Sequence, residues 1–264
     1  WPQVLVDMGH IDQASPVYRS LKRLESFLYT QADAIVVLAQ GTTDYLVDHG
    51  VDAQKIVLIP NAADPRDFEV STDRQELRDH YGFNKRTFIY AGAHGPANGL
   101  ELLLRAAAVS VEDYDVVLVG DGVDKPELIR CAQALNLANV RFFDPVPKSE
   151  MPQLLAAADV GVHVLADVPL FRYGVSPNKV FDYMAAGLPV LTNTPGGVAE
   201  LVTAAMAGVA VEPDRLDLGL HQLAQDSTDQ LRQYGENGRN FMSTQHSRTE
   251  MARRLQTLLD ELTT

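Results

Sequence analysis

Residues 171–187 (FRYGVSPNKVFDYMAAG) combine a predicted helix start with side chains that can bind an anion. Pro177 and Gly187 are typical of the first turn and the end of a short helix. The helix start offers free backbone N–H groups, and Asp182 lies one turn further along. Phosphate at the helix start and a sugar hydroxyl at Asp182 would be sensible chemistry, but a capped helix with a local ion pair between Lys179 and Asp182 explains the same residues. The polar side chains at the helix start are Ser176, Asn178 and Lys179.

Two glycine-rich loops are further candidates for anion binding, because each is predicted to join a strand to a helix. Residues 92–99 (GAHGPANG) and 194–200 (TPGGVAE) both have this arrangement, in which glycines allow tight turns and helix-start N–H groups form a cradle. An ordinary turn between a strand and a helix also needs glycine, so both interpretations stay open. Residues 120–122 (GDG) lack the third glycine of a dinucleotide-binding fingerprint, which favours a plain turn.

The residue types needed for several other chemistries are missing. The seven histidines show no metal-ligand spacing such as HExxH, and no Gly-x-Ser-x-Gly turn occurs, so neither a metal site nor a serine hydrolase gains support. The net charge of −13 disfavours binding to nucleic acid or to an anionic bilayer. The single cysteine, Cys131, excludes an internal disulfide and fits a reducing compartment, so we expect a cytoplasmic protein.

Short β-rich runs alternate with amphipathic stretches along most of the chain. Several runs are almost entirely apolar, such as VVLV at 116–119, which is typical of parallel strands covered on both faces. Together with short Gly/Pro turns, the alternation predicts an α/β fold with a Rossmann-like, doubly wound parallel sheet. The predicted strands are 34–39, 55–59, 87–91, 115–119, 140–143, 160–164, 189–192 and 209–211.

A polar stretch after residue 61 divides the chain into units of unequal size. We assign 1–64 to the end of an N-terminal domain, since its two good strands cannot bury a core alone. Residues 65–248 contain six predicted strands, enough for a complete Rossmann-like domain. Residues 249–264 contain a last helix with an apolar side, which we expect to dock toward the N-terminal domain. We therefore expect the parent protein to have a longer N-terminal part.

Several segments, in their order and spacing, resemble family 4 retaining glycosyltransferases of GT-B fold. The segment PLFRYGVSPNKVFDYMAAG at 169–187 is most similar to bacterial transferases that build O-antigen and capsule chains with N-acetylated amino sugars. The resemblance extends over essentially the whole chain. The matching segments are 32–64, 90–107, 116–128, 140–162 and 176–202.

The resemblance implies that a nucleotide-sugar binds in a cleft, held mainly by the C-terminal domain. Asp182 stands at the second acid of the family's Glu-x7-Glu pattern and would hold the ribose hydroxyls. Residues 175–179 would present backbone amides to the diphosphate, 142–146 would lie against the base, and 92–95 would line the phosphates from the opposite side. The predicted substrate-binding residues are Gly92, His94, Gly95, Asn98, Val146, Val175, Ser176, Pro177, Asn178 and Asp182.

The chain departs from the family pattern at three charged positions. Gly174 stands where the first acid of the pattern is expected, and Ala93 and Asn98 replace the basic pair that normally stabilises the leaving diphosphate. Arg172 and Lys179 are the available substitutes, so we predict that they are the catalytic residues.

The resemblance implies transfer of a sugar from a nucleotide-sugar, most simply UDP-linked, to a lipid-linked saccharide with retention of configuration, in surface polysaccharide synthesis. No cofactor is implied. The acceptor, and any peripheral contact with the membrane, would involve the N-terminal part of a longer protein, and we expect the fragment alone to be inactive. A catalytically silent nucleotide-binding relative is an alternative, favoured by the missing charges. A GT-B-fold epimerase is another, which Gly174 disfavours because it removes an acid near the sugar.

Overall fold

The computed structural model describes residues 2–110, 112–172 and 174–263, with the backbone alone at 170 and 172. Within these ranges the strands β1 to β8 are Ile35–Val37, Ile56–Leu58, Arg86–Ala91, Tyr114–Val119, Val140–Phe143, Val160–His163, Val190–Thr192 and Gly208–Ala210. The α-helices α1 to α12 are Pro2–Asp7, Pro16–Gln31, Gln40–Asp48, Arg74–Tyr81, Leu100–Ala107, Lys125–Ala134, Met151–Ala157, Asn178–Ala186, Gly197–Ala204, Leu216–Gln225, Thr228–Gln245 and Arg248–Leu262.

All eight predicted strands are present, each within two residues of its expected bounds. Strands β3 to β8 form one parallel sheet in the order β5-β4-β3-β6-β7-β8. This order is that of a Rossmann-like sheet, in which the chain adds strands on one side and then returns to the first strand to continue on the other. Strands β1 and β2 pair in parallel as a separate two-stranded sheet. The predicted doubly wound parallel fold is therefore confirmed.

The apolar run VVLV builds the centre of the large sheet because its side chains alternate between two cores. Val117 and Val119 belong to the core that contains the buried face of α8. Val116 and Leu118 belong to the core on the opposite face, together with the leucines of α5. Helices thus cover both faces of the sheet, which explains why this strand needs no polar side.

Helix α8 lies against α11 at a contact between backbones. A Cβ atom added at Gly235 of α11 would lie 1.9 Å from the carbonyl oxygen of Gly187, which ends α8. No side chain fits in that space. The close approach of the two helices therefore depends on glycine at position 235.

We predict that Gly235→Ala lowers the free energy of unfolding by about 1–3 kcal/mol, because the helices must separate to admit the methyl group. Urea unfolding measures the change. Gly197→Ala is the matched control, since a Cβ added there has no atom within 4 Å and we expect a change below about 1 kcal/mol. A Gly235→Ala protein as stable as the wild type would contradict this packing.

The apolar side of the last helix, α12, is only partly covered. Met251 is buried, whereas Leu255, Leu259 and Leu262 are exposed. The expected docking of this helix toward an N-terminal domain stays a prediction. Among the described residues, no helix has the length and apolar character needed to cross a membrane.

Candidate functional site

The carboxyl edge of the large sheet contains the predicted binding loops. The strand order reverses between β3 and β6, and ligands of open α/β sheets bind in the crevice that such a reversal creates at the carboxyl ends of the strands. Residues 92–99 follow β3, and residues 164–177 follow β6. A hydrogen bond of 3.0 Å from the Ala166 N–H to the Ala97 carbonyl joins the two loops. The crevice is therefore bordered by two segments in which the sequence predicts binding residues.

Lys179 is a largely buried cation at this crevice. Its Nζ donates hydrogen bonds to the Tyr90 hydroxyl at 2.7 Å and to Asn98 Oδ1 at 3.3 Å, and it lies 4.0 Å from the centre of the Tyr90 ring. Burial lowers the pKa of Lys179 to about 8. No carboxylate of the described residues forms an ion pair with it, so the alternative of a local ion pair with Asp182 is wrong. An anion entering the crevice would supply the missing counter-charge.

Gly92 gives the lysine room. The residue has φ +157°, and a Cβ atom there would lie 3.1 Å from Lys179 Nζ.

The loop after β4 holds the loop after β3 in place. The Asp121 carbonyl accepts a hydrogen bond from the His94 N–H at 2.8 Å, and the His94 carbonyl accepts one from the Asp124 N–H at 3.0 Å. A Cβ at Gly120 would lie 2.0 Å from the Gly92 carbonyl oxygen. Residues 120–122 are therefore more than a plain turn, since their glycines let the two loops touch.

Two buried histidines flank the lysine without carrying charge. The His94 ring is fully buried, near the rings of Tyr90 and Phe142, and neither ring nitrogen has a hydrogen-bond partner among the described residues. Burial, together with the neighbouring cation Lys125, lowers its pKa. His163, at the end of β6, is also fully buried, and burial lowers its pKa to about 3. Because the His94 ring is fully buried, a ligand would meet the backbone of residues 92–95 rather than this ring.

His163 was not among the residues predicted from the sequence. Its Nδ1 lies 3.1 Å from Thr192 Oγ1 and 3.3 Å from Thr194 Oγ1. The two threonines come from the end of β7 and the residues after it, so this polar cluster forms only when β6 and β7 pair. A lone histidine next to apolar residues carries no signal of such partners in the sequence.

Asp182 lies on another side of α8 from Lys179. It lines a cavity of about 540 Å³ together with Asn178, Lys148 and Arg248. Burial raises the pKa of the Asp182 carboxyl, while the cations Arg248 and Lys148 act in the opposite direction. The carboxylate accepts no hydrogen bond from the described residues and is accessible from the cavity. It can therefore accept hydrogen bonds from hydroxyl groups of a ligand.

The loop before α8, residues 174–177, lies between the crevice at Lys179 and the cavity at Asp182. Val175 packs partly buried against one core of the sheet, and Ser176 and Pro177 line a cavity of about 290 Å³. Val146, after β5, also packs against that core. The structure thus brings Gly92, Asn98 and Lys179 together, and separately Asn178 and Asp182. Gly95 lies on the first loop, next to the short 3₁₀ turn that contains Asn98.

Gly174 has a steric explanation. The residue has φ +147°, and a Cβ there would lie 2.8 Å from the Cβ of Ala39 and 3.2 Å from the backbone nitrogen of Thr42. An acidic side chain therefore does not fit at the position where the family pattern has one. The side chain of Arg172, the other predicted catalytic residue, lies outside the described residues.

Two family models match the chain. The model for group 1 glycosyl transferases matches residues 73–241, which include all six strands of the large sheet. The chain belongs to this family. The model for Glycosyltransferase Family 4 matches residues 8–67. Both matches confirm the resemblance found in the sequence.

Curated relatives carry related names. Over 194 residues the chain is 31% identical to "Probable glycosyltransferase WbjE" of Pseudomonas aeruginosa, a match that covers 72% of this chain and 48% of WbjE. Over 160 residues it is 26% identical to "Putative colanic acid biosynthesis glycosyl transferase WcaI" of Escherichia coli, which covers 59% of this chain and 39% of WcaI. The match thus spans less than half of either relative.

A solved structure confirms the fold class. The crystal structure of Alr3699/HepE from Anabaena in complex with UDP-glucose matches with a TM-score of 0.79 and 22% identity, covering 95% of this chain and 70% of that one. At this level of identity the likeness concerns the fold, which is that of the GT-B glycosyltransferases.

We predict that Lys179→Met makes the protein more stable at pH 7, by about 1–3 kcal/mol, because it removes a buried charge. Below about pH 8 the lysine is charged in both the folded and the unfolded protein, so the full cost of burial is present. As the pH rises toward the unfolded value of 10.5, the folded protein loses the proton first and the cost disappears. Urea unfolding at pH 7 and pH 10 measures the difference, and a destabilised Lys179→Met protein at pH 7 would contradict it.

Proposed function

We propose that this chain is the donor-binding part of a retaining glycosyltransferase that uses a UDP-sugar. The observation that carries the proposal is the largely buried cation Lys179, which has no carboxylate partner among the described residues and lies at the switch point of a group 1 glycosyl transferase sheet. We assign residues 1–64 to an N-terminal, acceptor-side domain, residues 65–248 to a nucleotide-sugar-binding domain and residues 249–264 to a terminal helix.

In this proposal the donor straddles the start of α8. The diphosphate lies against Lys179, the Gly92 loop and the first N–H groups of α8, where charge and helix dipole both favour an anion. The ribose hydroxyls donate to the Asp182 carboxylate in the neighbouring cavity. The base lies against Val146, after β5. Each group of the donor then meets a residue of matching chemistry.

The related proteins support the donor and the setting. HepE was crystallised with UDP-glucose, and WcaI is named for colanic acid biosynthesis. By analogy we propose a UDP-sugar donor and a lipid-linked saccharide acceptor, used in the cytoplasm for the synthesis of a surface polysaccharide. The acceptor site is assigned to the part of the relatives that this chain does not span.

In the proposed reaction, the sugar leaves a diphosphate that lies against the Lys179 ammonium group. The bond between C1 of the sugar and the β-phosphate oxygen breaks, and its electron pair goes to that oxygen. The acceptor hydroxyl attacks C1 from the same face and passes its proton to the leaving phosphate, so configuration is retained. Lys179 stabilises the negative charge that develops on the diphosphate, an electrostatic contribution that can be large.

We predict that the chain binds UDP more tightly than GDP or ADP, and that Asp182→Ala weakens UDP binding about tenfold or more by removing a charged acceptor. Isothermal titration calorimetry at pH 7 measures both. Asp48→Ala, an exposed aspartate at the end of α3, is the matched control and should bind UDP as the wild type does. A folded chain that binds none of the three nucleotides would contradict the proposal.

A silent nucleotide-binding relative is the second candidate, favoured by the absence of room for an acid at Gly174. The full-length protein separates the two candidates.

We predict that Lys179→Ala and Arg172→Ala each lower kcat/KM for sugar transfer about a hundredfold, because the negative charge on the leaving diphosphate loses its stabilisation. Release of UDP from UDP-sugars in the presence of lipid-linked saccharides is the assay, with exposed Lys85→Ala as control. Unchanged turnover in both variants would overturn the catalytic assignment, and no wild-type turnover despite UDP binding would favour the silent relative.

A further inference from the structure

Asn61 connects the small sheet to the loop before α8. It lies in the linker that follows β2. Its side-chain Nδ2 donates a hydrogen bond to the carbonyl oxygen of Ser176, and its backbone N–H donates to Ser176 Oγ at 3.4 Å. Both residues are half-buried. The contact therefore joins segments 115 residues apart at the edge of the proposed donor site.

The ring of His246, which lies between α11 and α12, is close to Asn61. Burial lowers the pKa of His246, and the nearby backbone of Asn61 acts in the opposite direction. The centre of the His246 ring is 5.3 Å from that of Phe241 and 5.6 Å from that of Phe181, a residue of α8. Asn61 is thus hydrogen-bonded to the loop before α8 and lies close to an aromatic group that packs against Phe181 of α8.

The contact orients the donors that the loop offers to an anion. A hydroxyl has one hydrogen to donate and two lone pairs that accept. Because the Asn61 N–H occupies a lone pair of Ser176, the hydroxyl hydrogen is left to donate elsewhere. The bond to the Ser176 carbonyl restrains the backbone just before the free N–H groups of α8. Donors that are ordered before binding cost less entropy when the ligand arrives.

We propose that Asn61 is a positioning residue for the donor diphosphate, acting through Ser176 and the start of α8. The inference rests on the proposed function, since it assigns Asn61 a role in the same site. The role requires only that the amide donates to Ser176, so a substitution that keeps the shape of the side chain and removes the donor tests it directly.

The test compares Asn61→Asp and Asn61→Ala with the wild type. Aspartate has nearly the same shape as asparagine but no N–H to donate, and its charge repels the Ser176 carbonyl. Asn84→Asp, the same change at an exposed loop residue, is the matched control. Hydrogen exchange of the amides of Val175, Ser176, Asn178 and Lys179 in the nucleotide-free protein reports the order of the loop. Calorimetry with UDP, GDP and ADP reports binding, and urea unfolding reports global stability.

We expect both Asn61 variants to exchange these four amides faster and to bind UDP about fivefold to twentyfold more weakly, with little change in the urea midpoint. Asn84→Asp should behave as the wild type. If the wild type binds UDP and both Asn61 variants bind it equally well, the inference is wrong and the proposed function stands. If affinity falls only in step with the urea midpoint, Asn61 has a merely structural role and the inference is also wrong. A wild type that binds no nucleotide overturns the proposed function and this role together.

Discussion

The ammonium group of Lys179 lies largely buried above the ring of Tyr90, and no carboxylate of the described residues pairs with it. A buried charge without a counter-ion is costly, and its pKa shift toward about 8 expresses that cost. The face of an aromatic ring, a phenol oxygen and the Asn98 amide oxygen offset only part of it. Burial lowers the pKa of the two nearby histidines, so neither adds to the positive charge of the lysine at neutral pH. The packing of α8 at this edge of the sheet holds that cation in place.

Helix α8 is the platform that holds it. The Tyr183 hydroxyl, one turn after Lys179, accepts a hydrogen bond of 2.8 Å from the backbone N–H of Ala91 and so ties the helix to the end of β3. On its other side the helix approaches α11 closely enough that only glycine fits between them. Rigid attachment on both sides explains how a side chain from α8 can be held against the ring of a residue on β3. Burial of the Lys179 charge lowers the stability of the fold, and the packing of α8 on both sides compensates for this loss.

The small sheet contributes to the shape of the same edge. Ala39, after β1, occupies the space that a side chain at position 174 would need, and Asn61, after β2, holds Ser176. The departure from the family's acidic pattern at Gly174 is therefore linked to the close approach of the segment after β1. The small sheet shares no strand pairing with the large sheet, yet the segments that follow β1 and β2 help to determine the conformation of the loop before α8.

The sequence by itself determined the eight strands and the helix from residue 178 to 186, because apolar periodicity and turn residues such as Pro177 and Gly187 act within a few residues of each other. The same local information singled out Gly92, Lys179 and Asp182. It could not decide between an ion pair of Lys179 with Asp182 and separate roles, since residues three apart on a helix can pair. The packing of α8 on β3 decided this, by placing Lys179 against Tyr90, a residue 89 positions away. The burial of His163 and the contact of Asn61 with Ser176 were decided in the same way, because their partners become neighbours only when distant strands and linkers come together.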